Sequence, residues 1–159
     1  MKVKHILGIS FFSLVLGLGF VACSDDDDDP KVPEITAVVG IWKYETVDSD
    51  VDAKDDEIKA AIKEYIGNLG NEGVDTYNLK ADKTYEVKVV GAEEDSTGTY
   101  EYKDSKITFS NKDFGTLSFK TDTISSVEDV KAAVIVALEL DESDVTKAEA
   151  IRYYKRISK

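Results

Sequence analysis

Few side chains in this sequence can act as nucleophiles or as soft metal ligands. The single cysteine is Cys23 and the single histidine is His5, so neither type occurs from residue 24 onward. This excludes Cys–His and Ser–His–Asp catalysis, zinc sites built on Cys or His, and disulfides within residues 24–159. Carboxylates, Tyr, Lys, Ser and Thr remain. We predict no catalytic residues, no metal site, no cofactor and no enzymatic activity.

Three acidic segments bring carboxylates together. Segment 48–52 has aspartates at alternate positions, as at the start of a calcium loop, but Ala53 and Lys59 stand where an EF-hand needs Gly and Glu. We interpret it as a solvated loop, with weak calcium binding as the alternative. Segments 93–95 and 141–144 hold carboxylates that a glycoside hydrolase would need in pairs. Nothing in the sequence fixes their separation, so we interpret them as solvated loops.

Aromatic side chains at strand spacing are the best candidates for a binding site. Tyrosine has a flat apolar face and a hydroxyl, which suits a sugar or an apolar ligand. The predicted ligand-binding residues are Trp42, Tyr44, Tyr77, Tyr85, Tyr100 and Tyr102, with Tyr153 and Tyr154 as further candidates. The alternative is that these residues are wall and core residues of a β-structure.

The first 22 residues have the pattern of an export signal. Two lysines precede an apolar stretch at 6–22, which is shorter than the ~20 apolar residues of a membrane span. Segment 20–23, Phe-Val-Ala-Cys, resembles the lipobox of bacterial lipoproteins, apart from Phe20 where Leu is usual. The resemblance implies cleavage before Cys23 and attachment of acyl chains such as palmitate to that residue. An ordinary secretory signal or an uncleaved anchor is the alternative.

An unbroken acidic run follows the cysteine. Ser24 and Asp25–Asp29 resemble the export signal of lipoproteins that one large Gram-negative phylum displays on its surface. We predict an acidic tether at 23–35, an outer-membrane location and cell-surface exposure, with the periplasmic face as the alternative. Without residues 1–22 the chain has 137 residues and a net charge of −14, because two lysines leave with them. This acidic charge disfavours nucleic acid as a partner.

Hydrophobic periodicity predicts one β-domain at 36–159. We expect a strand at 36–47, an acidic loop at 48–56, and an amphipathic helix at 56–69 with apolar residues every three or four positions. Short alternating strands joined by tight turns follow between residues 77 and 119. A last strand is expected at 150–157.

Segment 127–140 fits two structures. Ser126 and Asp129 resemble a capping box ahead of a helix near 127–139. Val134, Val136 and Leu140 also alternate within a β-branched stretch. We favour a strand at 133–140 and keep the helix as the alternative.

Three segments resemble those of lipocalin-like domains: Gly-Ile-Trp at 40–42, the hairpin segment 79–85, and the basic-aromatic segment 153–157. The resemblance implies a mainly-β, antiparallel up-and-down barrel or half-barrel of about seven to eight strands. It also implies a cation–π contact between Trp42 and an arginine of the last strand, Arg152 or Arg156. The inserted helix departs from this pattern, and its apolar stripe could close the barrel mouth. Lys83, where the turn usually has Gly, is a second departure.

By analogy of fold alone, we predict a lipid-anchored, non-enzymatic binding module for a small apolar or glycan ligand. The alternative is a structural or protein-interaction lipoprotein with a filled barrel. A carboxylate hydrolase is the third possibility considered. The predicted partners are the outer membrane, the small ligand and a possible protein partner.

Overall fold

The computed structural model describes residues 34–70 and 72–159. Its strands are β1 (Gly40–Ala53), β2 (Val74–Leu79), β3 (Thr84–Val89), β4 (Ser96–Lys103), β5 (Lys106–Phe109), β6 (Thr116–Lys120), β7 (Thr123–Asp129) and β8 (Val145–Ser158). Helix α1 (Asp56–Leu69) follows β1, and helix α2 (Lys131–Ala137) follows β7. Single 3₁₀ turns lie at Glu34–Ala37, Lys112–Phe114 and Glu142–Asp144. No helix within the described residues is long and apolar enough to cross a membrane.

The eight strands form a closed barrel in sequence order. Each strand pairs antiparallel with the next one, and β8 pairs with β1. Closure removes the sheet edges within the barrel itself, whereas β1 beyond Lys43 pairs only with β8. The predicted lipocalin-like up-and-down barrel with an inserted helix is confirmed, in its closed form.

Alternate side chains of the strands point inward and fill most of the barrel. This barrel core contains Val38, Trp42, Tyr77, Leu79, Tyr85, Val87, Tyr100, Ile107, Phe109, Leu117, Ile124 and Tyr154. Many of its rings meet edge to face, as between Tyr77 and Tyr154 with 4.9 Å between centroids. Aromatic residues pack well in this geometry, so the interior is a solid core over much of its length.

A second core lies beyond the barrel, on the long β1–β8 pair. These strands have 14 residues each and remain paired as far as Ala53 and Val145. The second core joins Ala148 and Ala150 of β8 to apolar side chains of α1 and α2. Small side chains on β8 let both helices approach the sheet closely.

Helix α1 starts and ends at the predicted positions. The Asp55 carboxylate accepts a hydrogen bond from the Ile58 N–H at 2.9 Å, and the helix stops at Gly70, whose φ is +52°. Ile62 and Ile66 are its buried residues, and both belong to the second core. The helix therefore packs on the β1–β8 extension and does not fill the barrel.

One end of the barrel is closed around Trp42. The indole N–H donates to the Val38 carbonyl oxygen at 2.8 Å, and the Arg156 guanidinium lies 4.3 Å from the ring centroid. Arg156 also donates to the carbonyl oxygen of Ala37 in the preceding 3₁₀ turn. The register pairs Trp42 with Arg156, so Arg156 and not Arg152 makes the expected cation–π contact.

The predicted strand at 133–140 is wrong, because most of this segment forms α2. Val134 is fully buried in the second core, whereas Val136 is 78% exposed, so a helical stripe is used and the alternation is not. The predicted capping box is also wrong. Ser126 lies within β7, and Val130 is the residue before the helix, without a side-chain cap.

The predicted acidic loop at 48–56 is wrong as well, because β1 continues to Ala53. Its inner face carries Val47 and Val51, while Asp50 on the outer face pairs with Lys147 at 2.6 Å. The predicted strand at 36–47 therefore starts late, at Gly40, and the last strand starts earlier than predicted. Strand β7, which pairs with β8, was not predicted.

Candidate ligand-binding site

A cavity of about 380 Å³ lies at the mouth of the barrel, away from Trp42. Its rim comes from the segment before β2, the 3₁₀ turn at Lys112–Phe114 and the end of β7. Val74, Tyr77, Phe114, Ser126, Arg152 and Tyr154 are among its lining residues. Pockets for small ligands usually measure ~300–1,000 Å³, so this one fits a small molecule of about one or two rings.

The alternation of side chains along β8 determines which polar groups lie deepest in the cavity. Ala148, Ala150, Arg152 and Tyr154 alternate on the inner face of β8, and Ser126 of β7 stands directly opposite Arg152. Side chains two residues apart on a strand share a face. Arg152 and Tyr154 therefore point to the same interior. Tyr154 belongs to the barrel core, and Arg152 lies two residues nearer to the second core.

Arg152 is the main electrostatic feature of the cavity. The residue is only 7% exposed, and its Nη1 donates to Glu128 Oε2 at 2.5 Å. Its Nε–H is buried without a hydrogen-bond acceptor. A buried guanidinium is costly unless its donors are satisfied, so this arrangement favours an additional acceptor at Nε.

The tyrosines of the cavity are neutral hydroxyl groups near neutral pH. Burial, and secondly the neighbouring Tyr154, raise the pKa of Tyr77 well above its usual value. Burial likewise raises the pKa of Tyr154. Neutral phenols can both donate and accept hydrogen bonds, so they can complement a polar ligand group beside Arg152.

Of the six predicted ligand-binding residues, Tyr77 lines the cavity. Trp42 lies at the closed end, where Tyr100 also donates from its hydroxyl to the Lys80 carbonyl oxygen at 2.8 Å. Tyr102 packs edge-on against Phe119 near the same end. These three aromatic residues therefore help to seal and fill the barrel.

The other two predicted residues, Tyr85 and Tyr44, do not line the cavity. Tyr85 is buried against Phe109 and Phe114, with its hydroxyl unpartnered. Tyr44 is half-buried and packs edge-on against Tyr154. Of the further candidates Tyr154 lines the cavity, whereas Tyr153 lies on the outer face of the barrel.

Phe114 and Ser126 were not predicted as site residues, and Arg152 was predicted only as a candidate partner for Trp42. A signal for Arg152 was present. It is a charged residue at an inward position of a strand that otherwise carries Ala148, Ala150 and Tyr154 on that face. A charged residue at such a position is rarely buried without a specific partner.

The acidic segments lie away from the cavity. The aspartates of 48–52 belong to β1, and Asp144 pairs with Lys54 at 2.9 Å. Glu93 and its neighbours lie in the exposed β3–β4 loop. Within residues 34–70 and 72–159, no three His, Cys, Asp or Glu side chains are grouped so that they could hold a metal ion.

The predicted signal at 1–22, the lipid attachment at Cys23 and the acidic run at 25–29 lie outside the described residues. Comparisons with protein-family models, with curated proteins and with solved structures found no significant match.

Proposed function

We propose that this chain is a lipid-anchored outer-membrane lipoprotein whose barrel is a non-enzymatic binding module for a small ligand. The observation that carries the proposal is the mouth cavity, which combines aromatic walls with a buried, incompletely satisfied guanidinium. Binding sites commonly pair an apolar wall with a few placed polar groups. The solid aromatic core beneath the cavity supports a small ligand held at the mouth, not a long one threaded through the barrel.

A binding role is favoured over catalysis by the groups that the cavity offers. Arg152 and the neutral tyrosines orient a ligand by hydrogen bonds, and residues 24–159 contain neither Cys nor His. The carboxylate that reaches Arg152 belongs to Glu128 and is engaged in an ion pair. These features suit recognition better than proton transfer or nucleophilic attack.

The anchoring part of the proposal depends on residues 20–29. Cys23 would carry the acyl chains, and Asp25–Asp29 would direct the domain to the cell surface and hold it away from the membrane. Metabolic labelling with a palmitate analogue should mark the wild type and fail for Cys23→Ser.

Protease added to intact cells should remove the domain. Loss only after permeabilisation would instead place it on the periplasmic face.

Native mass spectrometry of the protein purified from its own host tests the binding role. We expect a small co-purified mass that disappears in Ser126→Leu, because this substitution fills the cavity opposite Arg152. Ser125→Leu is the matched control, since Ser125 lies on the outer face of the same strand. A bare mass for wild type, under conditions that preserve weak complexes, would contradict ligand binding.

A second candidate function is a structural or protein-interaction role. The filled barrel core favours it, as does the 78% exposure of Val136 on α2 beside Ile135. In the same experiment, a bound second polypeptide that survives both serine substitutions would favour this alternative.

A further inference from the structure

Arg152 is the only charged side chain that is buried among the residues the structure describes. A guanidinium has five N–H donors in a rigid plane and matches carboxylate-type anions with two parallel hydrogen bonds. Here Nη1 is engaged by Glu128, while the Nε–H is buried without an acceptor. The edge of the guanidinium that includes Nε therefore lacks a hydrogen-bond acceptor at Nε.

The free edge of Arg152 belongs to the mouth cavity. A Cβ built on Gly73 would lie 3.9 Å from Nε, and Gly73 lines the cavity together with Arg152. Nε itself is closed off from solvent, and Gly73 is a cavity residue whose missing Cβ would contact it. Arg152 therefore lines a space of ligand size, and its unpaired Nε–H is buried beside the cavity residue Gly73.

The ion pair with Glu128 is formed by a carboxylate at the rim of the cavity. The Glu128 side chain is 59% exposed, whereas the Arg152 side chain is 8% exposed. The carboxylate can therefore leave and be hydrated, but the guanidinium cannot follow it into water without leaving its site on β8. An anion arriving in the cavity would replace Glu128 or share the guanidinium with it.

The neighbours of Arg152 define the rest of the ligand. Phe114 is a partly exposed aromatic residue at the cavity, while Tyr77 and Tyr154 line it as nearly fully buried, neutral phenols. Such walls suit a ring or a short apolar body of one or two rings. The site therefore combines one cationic centre with an apolar surface that contacts the rest of the molecule.

We propose, building on the small-ligand role above, that the cavity selects organic monoanions: a carboxylate on a compact apolar or aromatic body. The carboxylate binds the Nε edge of Arg152, and the body packs between Tyr77 and Phe114. Glu128 is an internal competitor for the same guanidinium. Removal of its charge tightens anion binding, whereas removal of the guanidinium abolishes the preference for anions.

The probes are 2-naphthoate and its uncharged analogue 2-naphthamide. Their binding to the lipidated protein in micelles is measured by equilibrium dialysis, with protein-free micelles as blank. We expect wild type to bind 2-naphthoate roughly 10- to 100-fold more tightly than 2-naphthamide, because this is the gain in affinity that one charge-assisted hydrogen-bonded pair provides. Arg152→Met removes this preference. It leaves no buried charge, because Glu128 is exposed.

Glu128→Gln keeps Arg152 and so tests the site even if the Met variant does not fold. We expect it to tighten 2-naphthoate binding by roughly threefold or more. Glu72→Gln is the matched control, since Glu72 is a rim carboxylate of the same cavity without an ion pair to Arg152. Equal gains in both variants would mean a general charge effect and would contradict competition at Arg152.

The outcomes separate the two proposals. Binding of both probes with equal affinity, lost in Ser126→Leu, overturns anion selection but keeps the small-ligand role. Binding of neither probe, together with a bare protein from the host, overturns both. A preference for 2-naphthoate that survives Arg152→Met places the anion elsewhere and also overturns the inference.

Discussion

Arg156 should stabilise the closed end of the barrel by an amount that can be measured. Its guanidinium lies 4.3 Å from the Trp42 ring centroid and donates to the Ala37 carbonyl oxygen. A desolvated cation–π contact contributes about 2 kcal/mol, and a hydrogen bond from a charged donor about 1.5–3 kcal/mol. Relief of guanidinium desolvation in the variant offsets part of this. We expect Arg156→Met to lower the free energy of unfolding by about 2–3 kcal/mol.

Lys155→Met is the matched control for that substitution. Lys155 is the preceding residue on β8, points outward, and forms only an exposed pair with Glu45 at 3.5 Å. Exposed ion pairs contribute about 0–1 kcal/mol, so this variant should remain close to wild type. Urea unfolding followed by far-UV circular dichroism and by the fluorescence of Trp42, the only tryptophan, compares the two variants. Equal losses within about 0.5 kcal/mol would refute the role given to Arg156.

Three further predictions concern stability. Gly98→Ala should lower the free energy of unfolding by about 1–3 kcal/mol, because its Cβ would lie 2.7 Å from the Tyr85 hydroxyl; an unchanged urea midpoint would contradict this. Asp55→Ala should lower the free energy of unfolding by about 1 kcal/mol, because it removes the side chain that caps the Ile58 N–H. Thermal melts measure this loss, with Asp56→Ala as the control. Burial, with Asp82 as a smaller cause, raises the pKa of Tyr100 to about 12. The stability from Tyr100 is therefore complete below pH 10 and is lost as the pH rises from 10 to about 12. Tyr100→Phe should show a shallower alkaline loss in urea titrations, and an equally steep loss would contradict that assignment.

Much of the fold follows from sequence periodicity, because strict alternation over short strands leaves few ways to bury one face. The helix at 56–69 combines an apolar stripe with an acidic cap, so both its position and its ends were predictable. The structure of segment 127–140 was not predictable, because its valines fit the strand period and the helix period equally well. Packing of Val134 against the second core decided for the helix, and this is a tertiary effect.

The long β1 shows how composition can mislead. Four aspartates within 48–55 suggested a loop, yet Val47, Val51 and Ala53 alternate on the inner face after the register shift between Tyr44 and Thr46. Pairing with β8 extends β1 through this segment, and outward Lys147 of β8 compensates the outward charge of Asp50. Charge alone was a weaker guide than the position of each charge in the alternation.

The candidate site was predictable only in its residue types. Tyrosines were expected to line a pocket, but barrel register decides which of them reach the mouth. Tyr77 and Tyr154 do, while Trp42 and Tyr100 pack at the closed end. Arg152 and Arg156 share the inward face of β8, and only their pairing partners on β1 assign one to Trp42 and the other to the cavity.

The central claim is that a small ligand binds in the mouth cavity beside Arg152. A ¹H–¹⁵N NMR titration of the protein with 2-naphthoate tests it most directly, because the Arg152 Nε–H and the Gly73 amide lie at the cavity. If the ligand binds there, these two signals shift together and saturate, while the signal of the Trp42 indole N–H, at the closed end, stays in place. Shifts confined to other regions, or none at saturating probe, would contradict the claim.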